Sequence, residues 1–525
     1  MNAGRDFVIA LSFANLWFGR LWLTLLSDEL VYPRKGSIVP NRVALLLNVL
    51  LMAAMCWLAM RVVRQSGSAR GLKAARFAVV LLLLASLRPV EMEAPLVEWM
   101  GRSAMVLIPG LILLLAWACA QRPRAAHATA ILLLVLSPFV AVTFGRVVLS
   151  MFTADPARVA DRPAAPPVPP RPEYPKVVWV IFDELDEALA FDKRPPSVAL
   201  PEFDRLRAQT LAASQAFPPS QSTVSSLPAL LTGRLVAQGY FHGPDELLID
   251  FHGADGKVKW SAQPSLFSVA RAMGINGAVV GWYHPYCRVL ASQFTSCFWD
   301  ELMDSTFVLP ETLAGRMLFQ AATILEETTR IGNLRLVEFD WVTQRQRNDK
   351  RRQHQVLMEQ ARIALQRPEL GLVLVHLSVP HPPAIYDRVK GDYALRSGLS
   401  YLDNLVLADR ALGELRRALE ESGTWERSVV LVTADHGWRR RTWERRRDWS
   451  DEDEQWSHRA GYRVPFLLKM PGQAAPVSYD QPFNTVLTSG LLLAVLRGEV
   501  DDATAAATWL DGHRSLGRSP YIHDP

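Results

Sequence analysis

Polar side chains that can bind a cation follow three short apolar runs of the chain. They are Asp183 and Glu184 after residues 177–182, His376 after residues 372–375, and Asp435 and His436 after residues 429–432. Carboxylate and imidazole groups suit a divalent cation. A single acidic residue at the end of a strand is often only a helix cap, but three such positions together favour a metal site.

A loop rich in hydroxyl groups supplies a candidate nucleophile. Residues 220–226 read Ser-Gln-Ser-Thr-Val-Ser-Ser, with Thr223 at the centre. A hydroxyl close to a bound cation has a lowered pKa and can attack an electrophile. The metal-binding residues and this loop therefore predict nucleophilic, metal-assisted chemistry.

Alternating apolar runs and helical patterns must position these residues. Residues 177–182, 278–280, 372–375 and 429–432 are β-branched or aromatic, which is typical of strands buried on both faces of a parallel sheet. Residues 401–419 carry leucines at helical spacing. The pattern predicts an α/β domain with a central, mostly parallel sheet and helices on both faces. In such sheets ligands bind beyond the carboxyl ends of the strands.

The first 152 residues are much more apolar than the rest. The five longest apolar stretches are residues 7–26, 43–60, 77–87, 104–120 and 128–145. A spanning helix needs about 20 apolar residues, so the stretch 77–87 is the weakest of the five. We expect five transmembrane helices in residues 1–153. No small-residue cleavage pattern follows the first stretch, so we expect no cleaved signal peptide.

The charges of the connecting loops predict the orientation in the membrane. The connection after the second span carries five Lys or Arg residues, whereas the next connection carries Glu91, Glu93 and Glu98. The positive-inside rule then places the amino terminus in the cytoplasm and everything after residue 153 outside. This predicts a multi-pass membrane protein, with an extracytoplasmic domain at 176–525 and a proline-rich, semi-rigid spacer at 154–175.

Composition and cysteine usage agree with this organisation. A formal net charge of +5 is too balanced for a nucleic-acid binder, and an apolar content of 50% excludes a disordered chain. Cys287 and Cys297 lie in the outer domain, where an oxidising compartment favours a disulfide over free thiols or a metal site.

Several blocks in the outer domain occur in an order that resembles a known family. They are Asp183, residues 200–206 (Leu-Pro-Glu-Phe-Asp-Arg-Leu), 230–234, 266–274, 401–404, 433–437 (Thr-Ala-Asp-His-Gly) and 463–472. Over residues 176–475 the chain resembles the sulfatase-like branch of the alkaline phosphatase superfamily. The resemblance implies an α/β fold of that type.

The residue at the nucleophile position distinguishes the subfamily. Sulfatases have Cys or Ser nine residues before the Thr of Leu-Thr-Gly, here Thr232, and oxidise it to formylglycine. The residue at that position is Thr223, which cannot form formylglycine. Residues 223–228 instead resemble the Thr-x-x-Ser-x-Pro of membrane-bound phosphoethanolamine transferases. Those enzymes and the lipoteichoic acid synthases also carry five amino-terminal spans and an exported catalytic domain. The resemblance therefore implies a multi-pass protein of a bacterial inner membrane with a periplasmic or extracytoplasmic catalytic domain.

The resemblance implies roles for particular residues. One divalent ion, Zn²⁺ or Mn²⁺, would be held by Asp183, Thr223, Asp435 and His436, with Glu184 as a competing ligand. Histidines that contact the phosphoryl or leaving group correspond to His381 and His458. Four residues carry weaker predictions as substrate contacts. They are Glu184, His376, which is alternatively a structural residue, and Arg439 and Arg440, which would contact an anionic group or belong to a solvated loop.

The implied activity is the transfer of a phospholipid head group to a glycan or lipid of the cell envelope. Thr223 would carry a phospho-threonine intermediate, and the partners would be the bilayer, a phospholipid donor and an envelope acceptor. The alternatives are a phosphoric or sulfuric ester hydrolase on the same fold and a non-catalytic membrane binding module. The competent set of candidate ligands disfavours the binding module.

Overall fold

The chain forms two structural units that interleave along the sequence. The computed structural model describes residues 3–27, 31–86, 104–153, 156–170, 173–301, 310–331, 334–335, 337–444 and 449–514. The first unit holds residues 1–30, 37–156 and 304–343, and the second holds residues 31–36, 157–303 and 344–525. The sequence predicts each domain as one continuous stretch of chain. In the structure, residues 31–36 belong to the second unit and residues 304–343 to the first.

The first unit is helical. Its helices are Ala3–Trp17, Gly19–Leu25, Val39–Gln65, Ala69–Ser86, Ala104–Gln121, Pro123–Val135, Pro138–Thr153 and Leu313–Thr329. Among the described residues, Val39–Gln65 and the stretch Pro123–Thr153 are long and apolar enough to cross a membrane. The pair Ala3–Trp17 and Gly19–Leu25, bent by 60°, would add a third span if it counts as one.

The described helices therefore support two or three spans, and the predicted number of five stays a prediction. The predicted stretches 77–87 and 104–120 fall in the helices Ala69–Ser86 and Ala104–Gln121, except that Leu87 lies outside the described residues. The acidic connection with Glu91, Glu93 and Glu98 also lies outside them.

Polar residues explain why the helix Leu313–Thr329 belongs to the first unit. Asn48 of the helix Val39–Gln65 donates to the backbone oxygen of Met317 at 3.0 Å and to Gln320 Oε1 at 3.1 Å. Gln320 in turn donates to the backbone oxygen of Asn41 at 2.9 Å. A buried amide without a partner is costly, so these reciprocal bonds hold the two helices together.

The second unit contains most of the strands and the remaining helices. Two short strands, β9 (Arg330–Ile331) and β10 (Leu334–Arg335), belong to the first unit. The strands of the second unit are β1 (Lys176–Asp183), β2 (Leu211–Ala213), β3 (Ala216–Phe217), β4 (Val236–Phe241), β5 (Leu247–Phe251), β6 (Val258–Lys259), β7 (Gly277–Trp282), β8 (Ser296–Asp300), β11 (Leu372–Pro380), β12 (Tyr386–Asp387), β13 (Asp392–Tyr393), β14 (Ser428–Ala434), β15 (Phe466–Lys469), β16 (Val477–Tyr479) and β17 (Phe483–Asn484). The helices of the second unit are Glu187–Ala190, Pro201–Arg207, Thr223–Thr232, Leu266–Ala272, Tyr286–Val289, Asp340–Gln366, Tyr401–Glu421, Arg440–Glu444, Asp451–Ser457, Thr488–Leu496 and Ala503–His513. The first residues of the helix Asp340–Gln366 belong to the first unit.

An eight-stranded sheet in the order β16-β2-β15-β14-β1-β11-β7-β8 forms the core of the second unit. The pairs β14–β15 and β15–β2 are antiparallel and the other five are parallel. The strands β1, β7, β11 and β14 contain the four predicted apolar runs, and nearly every side chain in them is buried. The predicted α/β fold with a mostly parallel sheet is confirmed.

The proline-rich segment follows the surface of the second unit instead of projecting from it as the predicted spacer. Three of its backbone N–H groups donate to that surface: Arg162 donates to the carbonyl of Cys287 at 2.9 Å, and Ala165 to that of Phe294 at 2.8 Å. Val168 donates to Asn276 Oδ1 at 2.9 Å. Prolines remove competing donors, so an extended chain can satisfy its remaining groups on the neighbouring surface.

A disulfide closes the region beside β8. Cys287 and Cys297 are bonded, with their Cα atoms 5.6 Å apart. The bond joins the helix Tyr286–Val289 to β8, and the predicted disulfide is confirmed.

Candidate metal centre and nucleophile

The carboxyl end of β1 carries the first two acidic residues. The parallel register of β1 with β11 shifts between Phe182 and Asp183, so that Asp183, the last residue of β1, pairs with Pro380. Glu184 then has a φ of 67°, a conformation that costs energy for a residue with a side chain. Both carboxylates are fully buried. Strained, buried acidic residues of this kind concentrate at functional sites.

Thr223 is the first residue of the helix Thr223–Thr232, directly after the extended Ser222. The first turn of a helix has free backbone N–H groups and a partial positive charge, both of which favour an anion. The turn is held from one side by β4, because Ser225 Oγ accepts the backbone N–H of Gly239 at 3.1 Å. Thr223 is thus presented at a helix terminus suited to a phosphoryl or sulfuryl group.

The Thr223 hydroxyl lies among three predicted metal ligands. Its Oγ1 is 2.8 Å from Asp435 Oδ2, 3.2 Å from His436 Nε2 and 3.4 Å from Asp183 Oδ2. His436 Nε2 is in turn 3.4 Å from Asp435 Oδ2 and 3.7 Å from Asp183 Oδ1. The structure therefore brings all four predicted ligands together.

The protonation state of His436 suits a metal ligand. Its Nδ1 lies 3.0 Å from the carbonyl oxygen of Gly437, which can only accept, so Nδ1 carries the proton. The lone pair on Nε2 then points at the carboxylates and Thr223. Burial, with a smaller contribution from Arg439, lowers the pKa of His436 well below its usual value, which keeps the ring neutral.

The carboxylates themselves fit a cation. Burial and the neighbouring charges of Asp435 and Glu184 raise the pKa of Asp183 well above its usual value. Burial raises the pKa of Asp435 to about 7. Asp183 Oδ1 is buried and has no hydrogen-bond partner among the described residues. Two buried carboxylates with an unpaired oxygen are what a divalent ion would neutralise.

Two further residues, Glu184 and His376, lie close enough to contribute ligands. Ligand atoms of Asp183, Glu184 and His436 lie within 4.8 Å of one another, as do those of Asp183, His376 and Asp435. His376 is buried, and its Nδ1 is 3.0 Å from the hydroxyl of Tyr286. Its Nε2 has no hydrogen-bond partner among the described residues.

Glu184 is already held by two donors. Its Oε1 accepts Arg439 Nε at 2.7 Å, and its Oε2 accepts Trp443 Nε1 at 2.6 Å. The hydroxyl of Tyr401 donates to its carbonyl at 2.7 Å. Glu184 therefore positions Arg439. The charges of Glu184 and Asp183 raise the pKa of Arg439 further above its usual value despite its burial, so Arg439 brings a permanent positive charge to the site.

The other predicted site residues divide into buried and exposed ones. His381 is buried beside the site: its backbone N–H donates to the carbonyl of Asp183 at 3.1 Å, and its ring is 5.0 Å from that of Trp282. His458 is exposed and lies 2.8 Å from Arg440 Nη1. Arg440 also pairs with Glu444 and Glu454. The contacts of His458 and Arg440 therefore lie in a surface ion-pair network and include none of the four clustered ligands.

Sequence reasoning missed two buried residues near the site. Lys350, on the helix Asp340–Gln366, donates to the carbonyl of Ser378 at 2.6 Å and lies 4.3 Å from the ring centre of Trp282. Nothing in its highly charged segment distinguishes it from its neighbours. His284 follows the carboxyl end of β7, and its Nε2 is 3.1 Å from the carbonyl oxygen of Thr223. Its position after a predicted strand was a usable signal.

Comparison with known proteins gives the class. The Sulfatase family model matches residues 175–496, more than half of the chain, and the chain belongs to the sulfatase family. This confirms the sulfatase-like resemblance, makes the protein an enzyme of that family and supports ester-cleaving chemistry. No curated protein sequence matches the chain.

Several solved structures are similar to this chain. A sulfatase from Pseudoalteromonas sp. is 18% identical, with a TM-score of 0.41 over 64% of this chain and 74% of its own. A phosphonate monoester hydrolase of Agrobacterium radiobacter is 14% identical, with a TM-score of 0.37 over 62% and 74%. A Bacteroides thetaiotaomicron protein described under the metabolism of multiple glycosaminoglycans is 16% identical, with a TM-score of 0.45 over 62% and 78%.

Proposed function

We propose that this protein is a membrane-anchored transferase that moves a phospholipid head group, of the phosphoethanolamine or phosphoglycerol type, to a glycan or lipid of the bacterial cell envelope. The observation that carries the proposal is Thr223, whose Oγ1 lies within 3.4 Å of Asp183, Asp435 and His436. A threonine there supports a covalent phospho-threonine route, because it cannot supply formylglycine.

The first step forms a bond between Thr223 Oγ1 and the phosphorus of the donor. Asp435 Oδ2 accepts the hydroxyl at 2.8 Å and is placed to take its proton. The bond from phosphorus to diacylglycerol breaks, and the imidazolium form of His381, with protons on both ring nitrogens, gives its Nε2 proton to the departing oxygen. His381 Nδ1 lies 2.9 Å from the carbonyl of Pro382, which orients the ring for this role.

The second step releases the head group. The hydroxyl oxygen of the acceptor bonds to phosphorus and its proton passes to His381 Nε2, while the bond to Thr223 Oγ1 breaks and the threonine recovers its proton from Asp435. Arg439, fixed by Glu184, offers positive charge to the phosphoryl oxygens in both steps. A Zn²⁺ or Mn²⁺ ion held by Asp183, Asp435, His436 and Thr223 would lower the pKa of the hydroxyl and neutralise phosphoryl charge.

The apolar helices support a membrane-embedded substrate. A soluble ester needs no membrane anchor, whereas a phospholipid donor is met only at the bilayer. The predicted topology would place the second unit on the periplasmic side of the inner membrane, where envelope acceptors lie. His458 and Arg440 remain predicted contacts for the leaving group or an anionic substrate, without support from their surface positions.

A hydrolase on the same site is the second candidate, and membership of the sulfatase family favours it. Water would then replace the acceptor hydroxyl in the second step. The first step would be unchanged, so the two functions differ only in the fate of the adduct.

The test is the intact mass of the full-length protein after incubation with vesicles of phosphatidylethanolamine and phosphatidylglycerol. We expect an added mass on Thr223 that identifies the head group, and none in Thr223→Ala. Thr232→Ala is the matched control, because Thr232 lies at the other end of the same helix, where its hydroxyl donates to the carbonyl of Pro228 at 2.7 Å. Release of free head group without an adduct would support the hydrolase, and turnover by Thr223→Ala would overturn both assignments.

A further inference from the structure

Residues 31–36, between the helices Gly19–Leu25 and Val39–Gln65 in sequence, belong to the second unit. Tyr32 is fully buried there, with its ring 4.8 Å from that of Phe241. The side chain of Arg288 binds the backbone of this segment, because its Nη2 donates to the carbonyl oxygen of Arg34 at 2.8 Å. The backbone N–H of Lys35 donates to Glu301 at 2.8 Å. The segment is therefore an integral part of the unit that holds the active site.

A chain of two hydrogen bonds connects Tyr32 to the nucleophile. The Tyr32 hydroxyl lies 3.1 Å from His284 Nδ1, and His284 Nε2 lies 3.1 Å from the carbonyl oxygen of Thr223. A carbonyl can only accept, so Nε2 carries a proton and donates it. Nδ1 of the neutral ring then has a lone pair, and the Tyr32 hydroxyl donates to it. Both hydrogen bonds are therefore donated in the same direction, from Tyr32 to His284 and from His284 to Thr223.

The surroundings of His284 offer few ways to replace Tyr32. The ring is fully buried, 4.9 Å from that of Trp260 and 5.1 Å from that of Tyr283. The Thr223 carbonyl oxygen requires the proton on Nε2, and the Tyr32 hydroxyl complements that tautomer by donating to the lone pair on Nδ1. Without the Tyr32 hydroxyl, the ring would lose one of the two hydrogen bonds that orient it, and the buried Nδ1 would lose its donor. The Tyr32 hydroxyl thus fixes the orientation of the ring that holds Thr223.

We propose that Tyr32 is a positioning residue: its hydroxyl fixes the orientation of the His284 ring, which holds the backbone of Thr223 and so aims the nucleophile. The inference rests on the proposed role of Thr223 as nucleophile. Neither Tyr32 nor His284 has a described contact with Thr223 Oγ1, so both act through the backbone. The active site therefore depends on a segment that lies between two helices of the first unit in sequence.

The test uses the full-length protein with Tyr32→Phe, which keeps the ring and removes only the hydroxyl. Tyr479→Phe is the matched control, since this buried tyrosine of the same unit donates to Asp511 at 3.0 Å. The rate of adduct formation on Thr223 with saturating phosphatidylethanolamine and phosphatidylglycerol vesicles should fall about 3–10-fold in Tyr32→Phe, because one net hydrogen bond is lost. The lipid concentration at half-maximal rate should stay unchanged, and the control should stay within about twofold of the wild-type rate.

A double variant separates positioning from general stability. In the His284→Ala background the additional change Tyr32→Phe should not alter the rate further, because Tyr32 acts only through His284. Equal losses in both backgrounds would overturn the inference. So would a wild-type rate in Tyr32→Phe.

Hydrogen exchange gives a readout that needs no substrate. The peptide 220–232 should exchange faster in Tyr32→Phe but not in Tyr479→Phe. If wild-type protein forms no adduct and releases no head group, the proposed function fails, and exchange alone decides the positioning role. Faster exchange confined to this peptide then supports it, and unchanged exchange overturns it.

Discussion

Arg439 and Glu184 form an ion pair at the edge of the candidate metal centre, with Arg439 Nε 2.7 Å from Glu184 Oε1. The second oxygen of Glu184 is occupied by Trp443, so this carboxylate is neutralised by the protein. Among the residues that the structure describes, neither Asp183 nor Asp435 has an arginine or lysine as an ion-pair partner. The acidic residues at the site thus divide into one that positions an arginine and two that fit a cation.

Arg439 should matter far more than its neighbour Arg440. We expect Arg439→Lys to lower kcat/KM about 10–100-fold, because lysine keeps the charge but loses the planar fork that binds Glu184 and that we propose to bind the phosphoryl group. Arg440→Lys should stay within about threefold, since Arg440 pairs with Glu444 and Glu454 at the surface. Steady-state kinetics on vesicle substrates measure both. Equal losses would mean that the surface arginine also contacts substrate.

Substitution of the two candidate histidines, His381 and His458, should affect kcat to very different extents. His381→Ala should reduce kcat about 10²–10⁴-fold if it protonates the leaving group. His458→Ala should change kcat less than about threefold, because its ring is exposed and contacts Arg440 and Glu454. A large effect of His458→Ala on kcat would restore the catalytic role predicted from the sequence.

Removal of the cation should destabilise the second unit. Protein treated with a chelator should melt at a lower temperature, because the bound ion stabilises only the folded state. Zn²⁺ or Mn²⁺ should restore the melting temperature in the wild type and much less in Asp183→Asn. Asp480→Asn, a change to an exposed carboxylate bonded to Ser214, is the control and should respond as the wild type does. A full response in Asp183→Asn would remove Asp183 from the ligand set.

Gly239 should tolerate no side chain. A Cβ at this position would lie 2.6 Å from Val224 Cγ1 and 2.9 Å from the Val224 carbonyl oxygen. Relief of that clash must move the backbone next to Thr223, so Gly239→Ala should lower kcat at least about tenfold. Gly512→Ala is the control, because a Cβ there meets nothing within 4 Å. Wild-type kcat in Gly239→Ala would show that the first turn of the helix can shift without loss.

Asp409 should make stability depend on pH. Burial raises its pKa from 3.8 to about 6, so the folded state binds the proton more tightly than the unfolded chain. The free energy of unfolding contributed by this group therefore falls as pH rises from about 4 to about 6. Asparagine can still accept the Phe203 N–H, which Asp409 accepts at 2.8 Å.

Asp409→Asn should consequently be more stable than the wild type above pH 6, by on the order of 1 kcal/mol, and equal to it near pH 4. Thermal unfolding of the full-length protein between pH 4 and pH 8 measures the difference. Lower stability of the variant at pH 8 would contradict the predicted sign.

The parts of the site that could be predicted from the sequence lie at strand ends. Asp183 and Asp435 follow buried apolar runs of β1 and β14, and neighbouring parallel strands must bring their carboxyl ends together. Thr223 was found from a local motif. Each of these inferences needs only a short stretch of chain and one rule of sheet geometry.

The parts that could not be predicted depend on contacts between distant segments. Nothing local to Tyr32 indicates that it binds His284, and nothing local to Asn48 indicates that it needs Gln320. The proline-rich segment was interpreted from composition alone, which describes the stiffness of a chain but not the surface on which its remaining donors find partners. Which residues of two distant segments come into contact is decided only in the folded state.

The interleaving of the two units has a consequence for the order in which the protein can assemble during synthesis. The helical unit is complete only after residue 343 has left the ribosome, because it includes residues 304–343. The second unit includes residues 31–36, which are made before most of the helices. Domains usually fold one after another as they emerge. In this chain neither unit can finish before the other has been started, so a gene fragment that begins at the proline-rich segment encodes an incomplete enzyme.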